Sequence, residues 1–433
     1  MTLIYWFRQD CRLSDNLALL EAVQVANQSA QRVLPIILRE ASEQTPWGFG
    51  RVSMNRKAYQ NQAYAGLAQE LSKHDTQLWM PCTPGLDGLW EVCVEISAYE
   101  IYCEQLDAPQ ELAQIQWLRD KGLRVTTTEQ SAMLTPCDLP FDAALAPPVF
   151  TAFRHQVEKA HIRPKRPVKA PAQLPGFAGS LKAAVPWRTD HTQPTADPRS
   201  SLPYQHPEWA ATEAAAQAHV LRYFSSQLPQ RYKTTRNGLS GSEFSTKFSG
   251  WLAVGAISAR QIFQALETHE TEFGANDSTY WIWFELLWRD HFRLMMTRFG
   301  SELFKRHGLL AKEKVQAQRI DTQAIDRWRH GETGQSLVDA GMHELSTTGY
   351  LSNRMRQIVA SYLLHELSGD WRAGAAWFEH CLLDFDVCSN QGNWAYIAGV
   401  GTDPRGGRHF NIDKQARDHD PDQRYRSLWE TAP

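Results

Sequence analysis

The first 130 residues alternate short apolar runs with amphipathic stretches, and this alternation constrains the fold more than any other feature. The apolar runs fall at 3–7 ("LIYWF"), 33–38 ("VLPIIL"), 77–80 ("QLWM"), 100–104 ("EIYCE") and 124–128 ("RVTTT"). Helical periodicity spans 16–27, 54–73, 86–98 and 109–121 between them. A strand that rejoins a parallel neighbour needs a crossover of helix length, and such crossovers are right-handed. The spacing therefore predicts an α/β domain over 1–130, Rossmann-like, with a parallel sheet. No G-x-G-x-x-G follows the first run, so the usual dinucleotide fingerprint is missing.

Residues 160–207 change character, within an interdomain linker placed at 131–207. "RPKRPVKAPAQLPGFAG" and "TQPTADPRSSLPYQHP" are rich in proline and poor in periodicity, which predicts a long interdomain linker lying over the surface. From 208 to 433 the strand signals fade. Helices are expected at 209–227, 258–272, 278–299, 322–330, 335–347, 352–367 and 371–382, giving an all-helical second domain. The net charge of −3 excludes a wholly basic nucleic-acid coat but leaves room for a local basic groove. Seven cysteines without a C-x-x-C pair argue against a disulfide framework or zinc ribbon, and no histidine spacing suits a metal. Arg8, Asp10 and Arg12 interrupt the N-terminal apolar run, and no 18-residue apolar span exists. A cytoplasmic protein without a membrane segment is expected.

Four stretches of the helical half carry chemistry. In "STKFSGWLAVGAIS" (245–258), Ser245, Thr246 and Ser249 flank Lys247 ahead of an apolar helix. Hydroxyls, free N–H groups and a cation at a helix start suit an anion, although an ordinary N-cap uses the same residues. In "TYWIWFELLWRDHF" (279–292), Glu285, Trp288 and Arg289 share one helical face. That face suits either a planar ligand or an amphipathic core helix with a Glu–Arg pair. Asn353 and Arg356 open a long apolar helix, where an arginine needs an acidic partner. "LLDFDVCSNQGNW" (382–394) offers Asp384 or Asp386, followed by Asn390 and Trp394. With Trp371 upstream, the set describes a bowl for phosphates, a heteroaromatic ring and an electron path, hence a flavin nucleotide.

These residues also resemble the photolyase–cryptochrome family, specifically its DASH-type branch. The matching motifs are "FELLWRDHFR", "LVDAGMHELSTTGYLSNRMRQIVAS", "DVCSNQGNWAYIAGVGTDPR" and "FNIDKQARDHDPDQRYRSLW", with "WFRQDCRLSDN" and "VFTAFRHQVE" upstream. The resemblance implies an antenna-type α/β domain before a helical domain holding FAD in a U-shape. It implies Tyr232, Ser245, Thr246, Lys247, Phe248 and Ser249 at the phosphates and ribose, with Arg356 paired to Asp384 and Asp386 lining the site. Asn390 then faces flavin N5; Glu285, Trp288, Asn353 and Tyr396, with Arg236, form a lesion pocket bordered by Arg289. Trp394 and Trp371 match the inner members of an electron chain whose distal position, counted from Trp328, falls on Gln318. Glu104 and Gln105 fall near the family's folate contact, which implies a methenyltetrahydrofolate antenna. The implied activity is light-driven repair of cyclobutane pyrimidine dimers by electron transfer from anionic reduced FAD. The implied substrate is mainly single-stranded DNA, with RNA left open, and the implied state is a monomer. The alternative is a blue-light receptor that signals without repair.

Overall fold

The computed structural model describes residues 1–39, 43–188, 194, 196–310, 321–402 and 406–430. Its N-terminal half runs β1 (Thr2–Phe7), α1 (Leu17–Gln28), β2 (Arg32–Ile37), α2 (Met54–Ser72), β3 (Trp79–Pro81), α3 (Gly85–Ile96), β4 (Glu100–Glu104), α4 (Pro109–Asp120) and β5 (Arg124–Thr128). These five strands are parallel in the order β5-β4-β1-β2-β3. Leu3, Tyr5 and Phe7 of β1 pack into one apolar layer and Ile4 and Trp6 into the other. A strand covered on both faces reads as a continuous apolar run, which explains the sequence signal.

The stretch 131–207 is more than a surface linker. It contributes β6 (Ala184–Pro186), which adds to β3 in antiparallel fashion, and α5 (Phe150–Lys159), which buries Phe150, Phe153 and Val157. Those three lie at i, i+3 and i+7, one helical stripe. Asp290 also fixes this stretch, its carboxylate accepting the N–H groups of Met133 and Leu134 at 2.8 Å each.

The remaining elements are helical: α6 (Glu213–Phe224), α7 (Tyr232–Thr235), α8 (Ser249–Val254), α9 (Ala259–Phe273), α10 (Asp277–Phe299), α11 (Thr322–His330), α12 (Ser336–Thr348), α13 (Asn353–His365), α14 (Trp371–Cys381), α15 (Val387–Ile397), α16 (Ile412–His419) and α17 (Arg424–Leu428). No described helix is long and apolar enough to cross a membrane.

In doubly wound sheets a ligand binds beyond the strand ends where the strand order reverses. Here that place lies between β1 and β4, and protein fills it. Asp10 accepts hydrogen bonds from the Tyr5 hydroxyl (2.5 Å), Asn16 Nδ2 (3.1 Å) and Gln130 Nε2 (3.1 Å). Beside it, Cys11 N–H donates to the Val254 carbonyl, and Arg12 Nη1 to that of Gly255. Gly255 sits at φ +70°, and a Cβ there would collide with the Gln9 carbonyl. A buried Asp15–Arg260 ion pair at 3.0 Å completes the junction. The α/β half thus supports the helical half, which holds the large polar cavity.

Candidate functional site

Helices α10, α13 and α15 and the segment before α8 enclose a cavity of about 400 Å³. It collects Tyr232, Arg236, Ser245, Thr246, Lys247, Phe248, Ser249, Glu285, Trp288, Arg289, Asn353, Arg356, Asp384, Asp386 and Tyr396. Its size falls in the range of small-molecule sites.

The segment 245–249 forms one end. Lys247 adopts φ +57°, a left-handed conformation that turns the chain sharply. Its ammonium is no solvated cation: the side chain is buried, Nζ donates to the Tyr350 hydroxyl at 2.9 Å, and the Phe244 ring lies 3.6 Å away. Burial drives its pKa well below the ordinary lysine value, with Glu344 opposing the shift. No carboxylate reaches ion-pair distance of Lys247 among the described residues, while Ser249 is exposed to the cavity. With only six residues in α8, the hydroxyls and turn amides outweigh any helix dipole as anion donors.

The two aspartates divide their partners. Arg356 Nη2 donates to both Asp384 oxygens at 2.9 and 2.8 Å, and its Nε to the Leu351 carbonyl at 3.0 Å. Burial lowers the Arg356 pKa, but Asp384 outweighs it and raises the net value. Asp386 instead pairs with Arg293 at 2.5 Å and caps α15 by accepting Ser389 N–H at 2.8 Å. Arg293 was not among the expected residues. The signal was available, because Glu285, Arg289 and Arg293 repeat at i, i+4 and i+8 on one face of α10.

Glu285 and Arg289 share that face but do not pair. Glu285 forms a close ion pair with Arg236 and accepts Trp281 Nε1–H at 3.1 Å. Burial still raises its carboxyl pKa, with Arg236 opposing. Arg289 donates to the Ser131 carbonyl, and burial, with Arg293, pulls its pKa down to about 10. Trp288 and Tyr396 meet edge to face, centroids 6.2 Å apart at 79°. Asn353, the first residue of α13, is exposed.

Five expected residues lie outside the main cavity. Asn390 borders a side chamber that it shares with Arg356, Asp384 and Trp394, and its Nδ2 donates to the Ala375 carbonyl at 3.1 Å. Trp394 is buried against Trp328 (6.2 Å, 79°) and Phe378 (5.1 Å, 74°). Gly374 makes room for its ring, since a Cβ there would strike the indole. Trp371 donates its indole N–H to the Arg306 carbonyl at 3.0 Å and makes no ring contact with Trp394 among the described residues. Gln318 lies outside the described residues. Glu104 is turned inward beneath Ser131, whose hydroxyl donates to it at 2.8 Å. Burial, with Asp10, raises its pKa to about 7. Gln105 lines a narrow cleft of about 60 Å³. A roomier interdomain cavity of about 420 Å³ opens beside it, lined by Ala108–Glu111, Phe304, Arg372 and Asn390.

A family profile described as FAD binding domain of DNA photolyase matches residues 281–431, and one described as DNA photolyase matches 3–172. Cryptochrome DASH of Synechocystis sp. is 39% identical over 99% of this chain and 87% of its own. The chain belongs to the cryptochrome DASH family. The crystal structure of Synechocystis cryptochrome superposes with a TM-score of 0.89 at 38% identity, over 99% of this chain and 88% of that one. A bacterial class III photolyase from Agrobacterium tumefaciens gives 0.78 at 26% identity, over 99% and 86%. The cofactor of this DASH protein is FAD, and its photolyase fold implies DNA as the partner. The cavity fits that cofactor: anion donors lie at 245–249, around a buried lysine with no carboxylate at ion-pair distance among the described residues, and the Arg356–Asp384 pair lines the same cavity.

Proposed function

We propose that this protein is a photolyase-type carbon–carbon lyase that repairs cyclobutane pyrimidine dimers, preferentially in single-stranded DNA, using light and reduced FAD. One observation carries the reading: a single cavity joins the Arg356–Asp384 end to an aromatic mouth of Trp288 and Tyr396 beside Glu285. Bound reduced FAD supplies the photoexcited electron. The chain's residues prepare for it and receive the substrate.

Tyr232 and residues 245–249 hold the phosphates and ribose. Arg356, held by Asp384, keeps a positive charge where a flavin ring would carry negative charge. Arg293 does the same for Asp386, so neither carboxylate is left uncompensated. Asn390 offers an amide with no acidic proton to give, which preserves an anionic flavin; an aspartic acid there would protonate it. When the cofactor is oxidised, Trp394 would donate an electron to it under light and be refilled from Trp371, whose own hole an external thiol reductant would fill; the Trp328 ring contact gives that path a branch.

At the mouth, a flipped dimer stacks on Trp288 and meets the edge of Tyr396. The half-buried Glu285, ion-paired with Arg236, accepts hydrogen bonds from the pyrimidine N3–H groups, with Asn353 and Arg289 at the rim. Arg236 pairs with Glu285 and faces the strand's phosphates. Flipping from a duplex costs a few kcal/mol and is easiest where the base is already unpaired. Tyr396 is a smaller stacking platform than an indole and offsets less of that penalty, which favours single strands. An antenna folate would need the cavity of about 420 Å³ beside Gln105, since the cleft that Gln105 itself lines holds only about 60 Å³.

The reading is tested by illuminating the reduced holoprotein with dimer-containing single-stranded DNA, duplex DNA and RNA, following recovered pyrimidine absorbance. Light-dependent repair of the single strand is expected. Repair of none of them would reject the lyase reading and favour a receptor.

A further inference from the structure

The tightest ring pair in the described protein lies behind the cavity. Phe150, the first residue of α5, stacks on Trp288 with centroids 3.8 Å apart and planes 11° apart. Trp288 is half-buried and lines the cavity, whereas Phe150 is buried and does not line it. The phenyl ring therefore covers the indole face turned away from the cavity. Edge contacts hold Phe150 in turn, from Phe284 at 5.1 Å and His291 at 5.6 Å. The flanking chain is fixed to α10 at several points. The His291 ring bonds the Pro147 carbonyl at 3.1 Å, and Arg298 donates to the Ala146 carbonyl. Arg154 Nη1 donates to the Tyr280 hydroxyl at 2.8 Å, and that hydroxyl donates to Glu158 at 2.7 Å.

We propose that Phe150 is a positioning residue for the substrate base: it clamps the Trp288 indole from behind and leaves one rigid face for stacking. This deepens the repair reading and rests on it. A half-buried indole at a cavity mouth otherwise samples several rotamers, and a base that stacks on it must pay for ordering it. An indole already ordered by a parallel ring avoids that loss. The stretch joining the two halves thus supplies the back wall of the substrate site. A stacked aromatic pair contributes more than its buried area alone, so an aliphatic residue of similar bulk fills the space without the same clamp.

The test compares wild type with Phe150→Leu and Phe150→Ala as flavin-loaded proteins. Dissociation constants are measured in the dark for single-stranded oligonucleotides with and without one dimer, and repair yield per absorbed photon at saturating dimer. Phe150→Leu should weaken dimer binding by about three- to tenfold. Its flavin content, its affinity for the undamaged strand and its yield at saturation should stay at wild-type values. Phe150→Ala should weaken dimer binding further. If Phe150→Leu binds the dimer like an active wild type, the clamp is refuted while the repair reading stands. Equal losses on damaged and undamaged strands, or lost flavin, would show a merely structural role and refute it too. A wild type that neither binds nor repairs dimers removes the repair reading, and this inference with it.

Discussion

Replacing Asp384 by alanine should expose how the flavin site is held together. Asp384 is almost fully enclosed, at 2% side-chain exposure, while Arg356 keeps 24%. Arg356 Nη2 contacts both carboxylate oxygens, and the Leu351 carbonyl is its other hydrogen-bond acceptor. Removing one partner of a fully buried pair costs about 3–5 kcal/mol, because the survivor keeps an uncompensated charge. Partial exposure lets water reach the Arg356 guanidinium, so the expected loss is about 2–4 kcal/mol. Urea unfolding of Asp384→Ala, with and without added FAD, measures that loss, and flavin absorbance per protein measures retention of the cofactor. The variant should be less stable and nearly colourless. The double variant Asp384→Ala with Arg356→Met removes the stranded charge, so it should regain stability without regaining flavin. An Asp384→Ala protein that loses under about 1 kcal/mol and stays fully flavinated would refute the pairing argument.

Trp394→Phe should nearly abolish light-driven reduction of the oxidised cofactor, followed by flavin absorbance under steady blue light, while Gln318→Ala changes it little; repair by chemically reduced protein should survive both. Burial raises the Asp386 carboxyl pKa, but Arg293 and Arg289 outweigh it and hold the group well below the usual range. Its stabilisation is therefore full above about pH 4 and lost as pH falls through the depressed folded value. Arg293→Met should be less stable than wild type at pH 6 in denaturant titrations, with the gap closing toward pH 2; a constant gap would contradict the assignment. Lys247→Met removes a buried ammonium with no carboxylate partner among the described residues, so the flavin-free protein should be equally stable or about 1 kcal/mol more stable. The same change should weaken FAD binding, measured by equilibrium dialysis.

What was legible in the sequence follows from which forces are local. The central strands could be read because they are covered on both faces, as Leu3–Phe7 shows. β6 was invisible because Ala184–Pro186 is three residues at a sheet edge, too short for any period. The Phe150, Phe153, Val157 stripe was present, but the proline-rich stretch beyond it masked the helix. Asp384 as the Arg356 partner matched the expectation, whereas Arg293 was missed because its partner Asp386 lies 93 residues away. Trp394 and Trp371 are placed by resemblance; the helix packing also sets Trp328 against Trp394, and no sequence spacing encodes that contact.

The most direct test of the central claim places one dimer in three settings: a single strand, a mismatched bubble within a duplex, and a fully paired duplex. If the cavity takes a flipped lesion and flipping limits access, single-turnover repair under saturating light should be equally fast in the strand and the bubble. It should be slower in the paired duplex by about tenfold or more, as a few kcal/mol of unpairing requires. Equal rates in all three would contradict the assigned strand preference, and no repair in any of them would contradict the function itself.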